Sequence, residues 1–134
     1  MIFRLAALDI GRNWTITHVN DGEKCIRYLE TTQYPPDFIL MDINMPRING
    51  INCASHILSQ GLCKGAYIYM LSTGTSDIDI IEAYRAGAHL YIPKPHSYNE
   101  LKRILQACID KEFARNWRRR ISNFVVFSGD QLKH

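Results

Sequence analysis

Three residues of this chain could do chemistry together: an aspartate, a serine and a lysine, each placed directly after a short apolar run. Asp42 follows Phe38-Ile39-Leu40-Met41, Ser72 follows the run ending Tyr67-Ile68-Tyr69-Met70-Leu71, and Lys94 follows Leu90-Tyr91-Ile92-Pro93. Continuous apolar runs of this length read as strands buried on both faces. An Asp after such a run is by itself an ordinary cap or turn residue. A carboxylate, a hydroxyl and an ammonium at the ends of three neighbouring strands suit a phosphoryl group bound to the carboxylate. The lysine would neutralise charge and the hydroxyl would donate to a phosphoryl oxygen. Thr73 offers a second hydroxyl in poorer register. Pro95, following Lys94, sits where a cis X-Pro bond costs little.

The surrounding chain has to bring those strand ends side by side. Between the runs, helical spacing appears at Glu23–Glu30, at Gly50–Ser59 and from Ser76 to Ala86, where Gly87 stops it. Ser97-Tyr98-Asn99-Glu100 is a capping box, and Leu101, Ile104, Leu105 and Cys108 form the apolar stripe of the helix after it. Met1–Ile10 reads as an amphipathic helix closed at Gly11, and Trp14–Val19 as a strand entering the Asn20-Asp21-Gly22 turn. Alternating strands and helices predict an α/β fold with right-handed crossovers, a doubly wound parallel sheet and ligands at the carboxyl ends of its strands.

Composition narrows the class. The 134 residues are 46% hydrophobic, enough for one core. The net charge of +3 owes much to Lys111–Arg120 and gives no general case for nucleic acid. Cys25, Cys53, Cys63 and Cys108 lack Cys-x-x-Cys spacing, and His18, His56, His89 and His96 show no mutual spacing of a site. A zinc site and a disulfide framework are not expected, which fits a reducing cytoplasm. No apolar run approaches the roughly 18 residues of a bilayer span.

The motifs FILMDINMPRING, MLST, AGAHLYIPKP and the capped SYNELKRIL together resemble the receiver domain of two-component response regulators, over about Met1 to Ile109. The chain is most similar to the single-domain type. The resemblance implies a flavodoxin-like receiver fold over 1–110 and a basic, aromatic extension over 111–134. It implies a phosphoacceptor at Asp42, a hydroxyl switch at Ser72, an aromatic switch at Tyr91 and a charge-neutralising Lys94 with Pro95 in cis. It also implies Mg²⁺ held by Asp42 and the backbone carbonyl of Asn44, and a sensor histidine kinase or phosphotransfer protein as donor. Such a chain is a signalling phosphoacceptor that assists its own phosphotransfer, not an enzyme in the usual sense. Tyr91 read alone is equally an ordinary strand aromatic, and Pro46 and Gly50 ordinary loop formers.

Two features depart from the family pattern. Receivers begin with a strand ending in two acidic residues that hold Mg²⁺, whereas this sequence starts in what would be the first helix, N-terminally truncated as written, with Asp9 at that helix's far end. Weakened metal binding follows, and two strands would be left with unpaired edges in mid-sheet. A natural chain with further residues upstream accounts for this. The alternatives are a pseudo-receiver that binds partners without phosphorylation, or a substitute strand, for which Phe124–Phe127 is the obvious candidate. A hydrolase with an Asp42 nucleophile would want a second acid at position 44, where Asn44 stands. The segment KEFARNWRRR reads as a solvated continuation of the last helix; a kinase or homodimer contact, or a nucleic-acid patch, are its other readings.

Overall fold

The structure, a computed structural model, describes residues 17–45, 47–109, 115–116 and 123–126. Its elements in chain order are α1 (Gly22–Thr31), β1 (Phe38–Asp42), α2 (Gly50–Ser59), β2 (Tyr67–Ser72), α3 (Asp77–Ala86), β3 (Leu90–Pro93) and α4 (Tyr98–Cys108). The three strands pair in parallel in the order β1-β2-β3. This is the α/β architecture expected from the alternation of apolar runs and helical stripes.

Each helix starts where a side chain can satisfy an otherwise unpaired N–H. The side chain of Asp21 accepts from Lys24, Asn49 from Asn52, Ser76 from Asp79 and Ser97 from Glu100. α3 ends at Gly87, whose φ of 101° favours glycine.

Alternation along the strands splits the core in two. Ile39, Met41, Ile68, Met70 and Tyr91 face α1, α2 and α3, packing with Leu29, Ile57 and Ala83. Tyr69, Leu71, Leu90 and Ile92 face α4 and meet Leu101, Ile104, Leu105 and Cys108. Runs with no polar alternation were needed because both faces are covered. Tyr69 also donates its hydroxyl to the Cys108 carbonyl at 2.7 Å, tying β2 to the end of α4.

The sequence expectations fare unevenly at the two ends of the chain. Met1–Ile10, Asp9 and Trp14–Ile16 lie outside the described residues, and Thr17–Val19 are not in a strand. Within Lys111–Arg120 only Arg115 and Asn116 are described, both helical. Phe124–Val126 does pair with the sheet, but not in the gap beside β1. A parallel bridge joins Val125 to Tyr91 on the outer edge of β3. The physical reason is that Phe124 and Val126 find apolar cover there, at 0% and 1% exposure. Phe127 lies outside the described residues.

Candidate functional site

Strand register places the chemistry. Asp42 stands opposite Leu71, and Ser72 opposite Pro93, so the three polar residues emerge one after another at the carboxyl edge. The ladder continues past the strands: the Ile43 N–H donates to the Leu71 carbonyl at 3.1 Å, and the Lys94 N–H to the Ser72 carbonyl at 2.7 Å. Backbone pairing thus holds all three stems in fixed relation.

Asp42 uses both carboxylate oxygens. Oδ1 accepts the Asn44 N–H at 2.9 Å and Oδ2 accepts Lys94 Nζ at 2.8 Å. The Asp42 and Lys94 side chains are 40% and 33% exposed, so the carboxylate is open to an incoming group while its ammonium partner is partly desolvated. An exposed pair of this kind adds at most about 1 kcal/mol to stability.

The loop after Asp42 is folded back tightly. The Gly50 N–H donates to the Ile43 carbonyl at 2.9 Å, and Arg47 takes a positive φ of 69°. A Cβ on Gly50 would overlap the Asp42 carbonyl oxygen and lie 3.0 Å from the Ile43 Cα. Gly50 is therefore more than a loop former: it lets the start of α2 press against the backbone that carries Asp42. Pro46 is outside the described residues.

Ser72 is 3% exposed, and its Oγ accepts the Gly74 N–H at 3.1 Å. Thr73 is exposed. Tyr91 is fully buried, and its hydroxyl donates to the Gly74 carbonyl at 3.0 Å. Burial pushes the phenol above its ordinary value; contact with Ser72 opposes the shift and the Asp79 carboxylate adds to it. The predicted residues thus form two pairs, Asp42 with Lys94 and Ser72 with Tyr91, joined through the Lys94–Ser72 backbone bond. Gly74, which receives Tyr91 and donates to Ser72, was not singled out from sequence; its place in Ser72-Thr73-Gly74 directly after an apolar strand was the available signal.

One expectation is corrected. The described residues contain no cis peptide bond, so Lys94–Pro95 is trans. Trans is the lower-energy isomer, and Lys94, held by its backbone bond to Ser72, reaches Asp42 without the cis form.

As Mg²⁺ donors, the Asp42 carboxylate and Asn44 carbonyl are of the right kind, hard oxygen ligands, but they make up only two of about six positions. No group of three His, Cys, Asp or Glu among the described residues is placed to hold a metal. No described helix is long and apolar enough to cross a membrane.

Comparison with known proteins agrees with this fold. The response regulator receiver domain family matches residues 5–106. A probable methanogenesis regulatory protein, FilR2, from Methanothrix harundinacea is 28% identical over 123 residues, 89% of this chain and 78% of that protein. Two further curated relatives are matched over only 12% and 44% of their lengths. Among solved structures, the phosphorylated cyanobacterial phytochrome response regulator RcpA superposes with a TM-score of 0.73 at 25% identity, covering 86% of this chain and 84% of that one. The receiver domain of the sensor histidine kinase PA1611 from Pseudomonas aeruginosa, with magnesium in its active-site cleft, gives a TM-score of 0.64 at 30% identity, covering 78% and 83%. The chain belongs to the response regulator receiver domain family of two-component systems.

Proposed function

We infer that this receiver accepts a phosphoryl group on Asp42 from a phosphohistidine of a sensor kinase or phosphotransfer protein and acts as a phosphorylation-controlled switch. The observation that carries this reading is Lys94 Nζ on Asp42 Oδ2 at 2.8 Å, at the carboxyl edge of a parallel sheet. An Asp42 oxygen forms the O–P bond as the donor's P–N bond breaks, and the proton needed by the departing imidazole comes from solvent. Lys94 then moves its charge from the carboxylate to a phosphoryl oxygen. Ser72 is one backbone step away and exchanges its Gly74 contact for a second phosphoryl oxygen.

Asp42 and the Asn44 carbonyl would hold Mg²⁺, which when bound supplies positive charge to the transferring group. The relatives' magnesium and phosphorylated states support the reading by likeness. Phosphorylation adds about −1.5 to −2 charges at Asp42. Drawing Ser72 towards them removes its contact with Tyr91, which is how the charge reaches the face formed by α3, β3 and α4.

The test is intact mass after incubation with Mg²⁺ and a small acyl phosphate. The chain is expected to gain one phosphoryl group, and Asp42→Asn is expected to gain none while keeping its fold. Labelling that persists in the variant places the acceptor elsewhere. No gain, in this chain and again with an upstream strand carrying the acidic pair restored, replaces the switch with a binding module free of phosphate chemistry.

A further inference from the structure

The outer edge of β3 is already occupied, and its occupant touches Tyr91. The Tyr91 N–H donates to the Phe124 carbonyl at 2.9 Å and the Val126 N–H donates to the Tyr91 carbonyl at 2.9 Å. In a parallel ladder alternate residues turn their N–H and C=O to opposite sides, and Tyr91 is the β3 residue that turns both outward. Phe124 and Val126 therefore satisfy the pair of backbone groups that would otherwise form an open strand edge.

The side chains anchor the segment on both sides of the sheet. The Phe124 ring lies 5.2 Å from that of Tyr84 at 80° and 6.2 Å from that of Tyr91 at 49°. It belongs to the core under α1, α2 and α3, whereas Val126 belongs to the core under α4. Phe124 thus backs the same ring whose hydroxyl is held by Gly74. A Tyr91 ring that leaves its inward position parts from Phe124, and a departing segment removes one wall of the Tyr91 site.

We propose that the β3 edge is a docking site for an extended apolar segment, filled in this chain by its own Phe124–Val126, and that docking of this strap and the inward position of Tyr91 are two parts of one state. The site reads a carbonyl and an N–H two residues apart, with an aromatic side chain on the first and a β-branched one on the second. A partner presenting such a strand adds to the sheet only where the strap has left. Calling Tyr91 the switch rests on the phosphoacceptor reading; the strap's hold on Tyr91 does not.

The test is amide hydrogen exchange on the ¹⁵N-labelled full chain, comparing the parent, Val126→Pro, Phe124→Ala and Tyr91→Phe. Val126→Pro deletes the donated N–H and leaves the Phe124 ring in place, so it keeps the test decisive where Phe124→Ala fails to fold. Val126→Pro is expected to speed exchange of the Tyr91 amide by about tenfold or more while β2 amides stay protected, and to shift the Tyr91 ring resonances. Tyr91→Phe, which loses only the hydroxyl, is expected to keep the amide at position 91 protected. A Tyr91 amide that exchanges as fast in the parent chain as in Val126→Pro, or ring resonances unmoved by Val126→Pro, overturns the proposal. Intact mass after phosphodonor treatment answers the separate question of the phosphoacceptor: failure to gain a phosphoryl group, with and without a restored upstream acidic strand, refutes that reading, and the exchange data still decide the strap.

Discussion

Gly50→Ala puts the loop geometry at Asp42 to its most direct test. Gly50 opens α2 just after its cap, Asn49, whose side chain accepts the Asn52 N–H at 2.8 Å. At an unconstrained helical position the exchange would stabilise the protein by up to about 1 kcal/mol, since alanine is the better helix former. Here the added methyl overlaps the Asp42 carbonyl oxygen and comes within 2.9 Å of the Asp42 carbonyl carbon and 3.0 Å of the Ile43 Cα. All three are backbone atoms fixed by the β1–β2 ladder, so no flexible side chain can give way. Overpacking of this kind costs about 1–3 kcal/mol, so a net loss of about 1–2 kcal/mol is expected in urea denaturation. Gly74→Ala serves as control, because a Cβ there meets nothing within 4 Å; its expected effect lies within about 0.5 kcal/mol. The retreat of α2 also moves Asp42 relative to Lys94, so Gly50→Ala should slow phosphoryl gain from an acyl phosphate in the fraction that remains folded. A Gly50→Ala chain as stable and as readily labelled as its parent would falsify the claim that this contact sets the Asp42 backbone.

Other expectations follow from single contacts. Lys94→Met should leave stability within about 1 kcal/mol, because the pair it breaks is partly exposed, yet reduce the labelling rate by about 100-fold; a small kinetic effect would remove Lys94 from the chemistry. Asp21→Ala should cost about 1 kcal/mol by uncapping α1, readable as a lower urea midpoint, since Asp21 Oδ1 accepts the Lys24 N–H at 2.9 Å. Burial pushes the Cys108 thiol up from 9.0 to about 12, against the opposing pull of Arg103. The unfolded thiol ionises first, so this stability is complete below about pH 9 and lost as pH rises towards about 12, by up to about 1.4 kcal/mol per pH unit. Tyr91, shifted in the same direction, adds to the loss at the upper end. Cys108→Ala should flatten the slope of urea stability against pH in this window; an unchanged slope would assign it to other groups.

Legibility from sequence followed the range of the interactions involved. Helix boundaries were readable because their causes are local: Ser97 to Glu100 is a contact within one turn, and Gly87 ends α3 by its own backbone. The three strands were readable because burial on both faces leaves no polar break in Phe38–Met41 or Tyr67–Leu71. Gly50 looked like any loop glycine, since its reason is a backbone eight residues away that only folding brings close. Phe124–Val126 was recognisable as strand-like, but its edge was not. Nothing in Phe-Val-Val states that Tyr84 and Tyr91, from two other elements, supply the cover that makes one edge better than another.

The position of Lys94 shows why the site depends on the sheet more than on its own attractions. An ammonium and a carboxylate at 2.8 Å with a third or more of each exposed gain too little to order the loops that carry them. The geometry is supplied by the ladder: Asp42 is fixed opposite Leu71, the Lys94 N–H is fixed on the Ser72 carbonyl, and the side chains need only span what remains. On the proposed reading, a group arriving on Asp42 would meet a cation whose main chain is anchored to the ladder, and the response would fall on the parts held by single bonds. These are the Ser72 hydroxyl and the Tyr91 phenol, both tied to Gly74. Gly74 lies in the loop between β2 and α3, outside the ladder. On the proposed switch reading, rearrangement would be channelled away from the carboxyl edge and towards the outer side of β3, where Phe124 backs the Tyr91 ring.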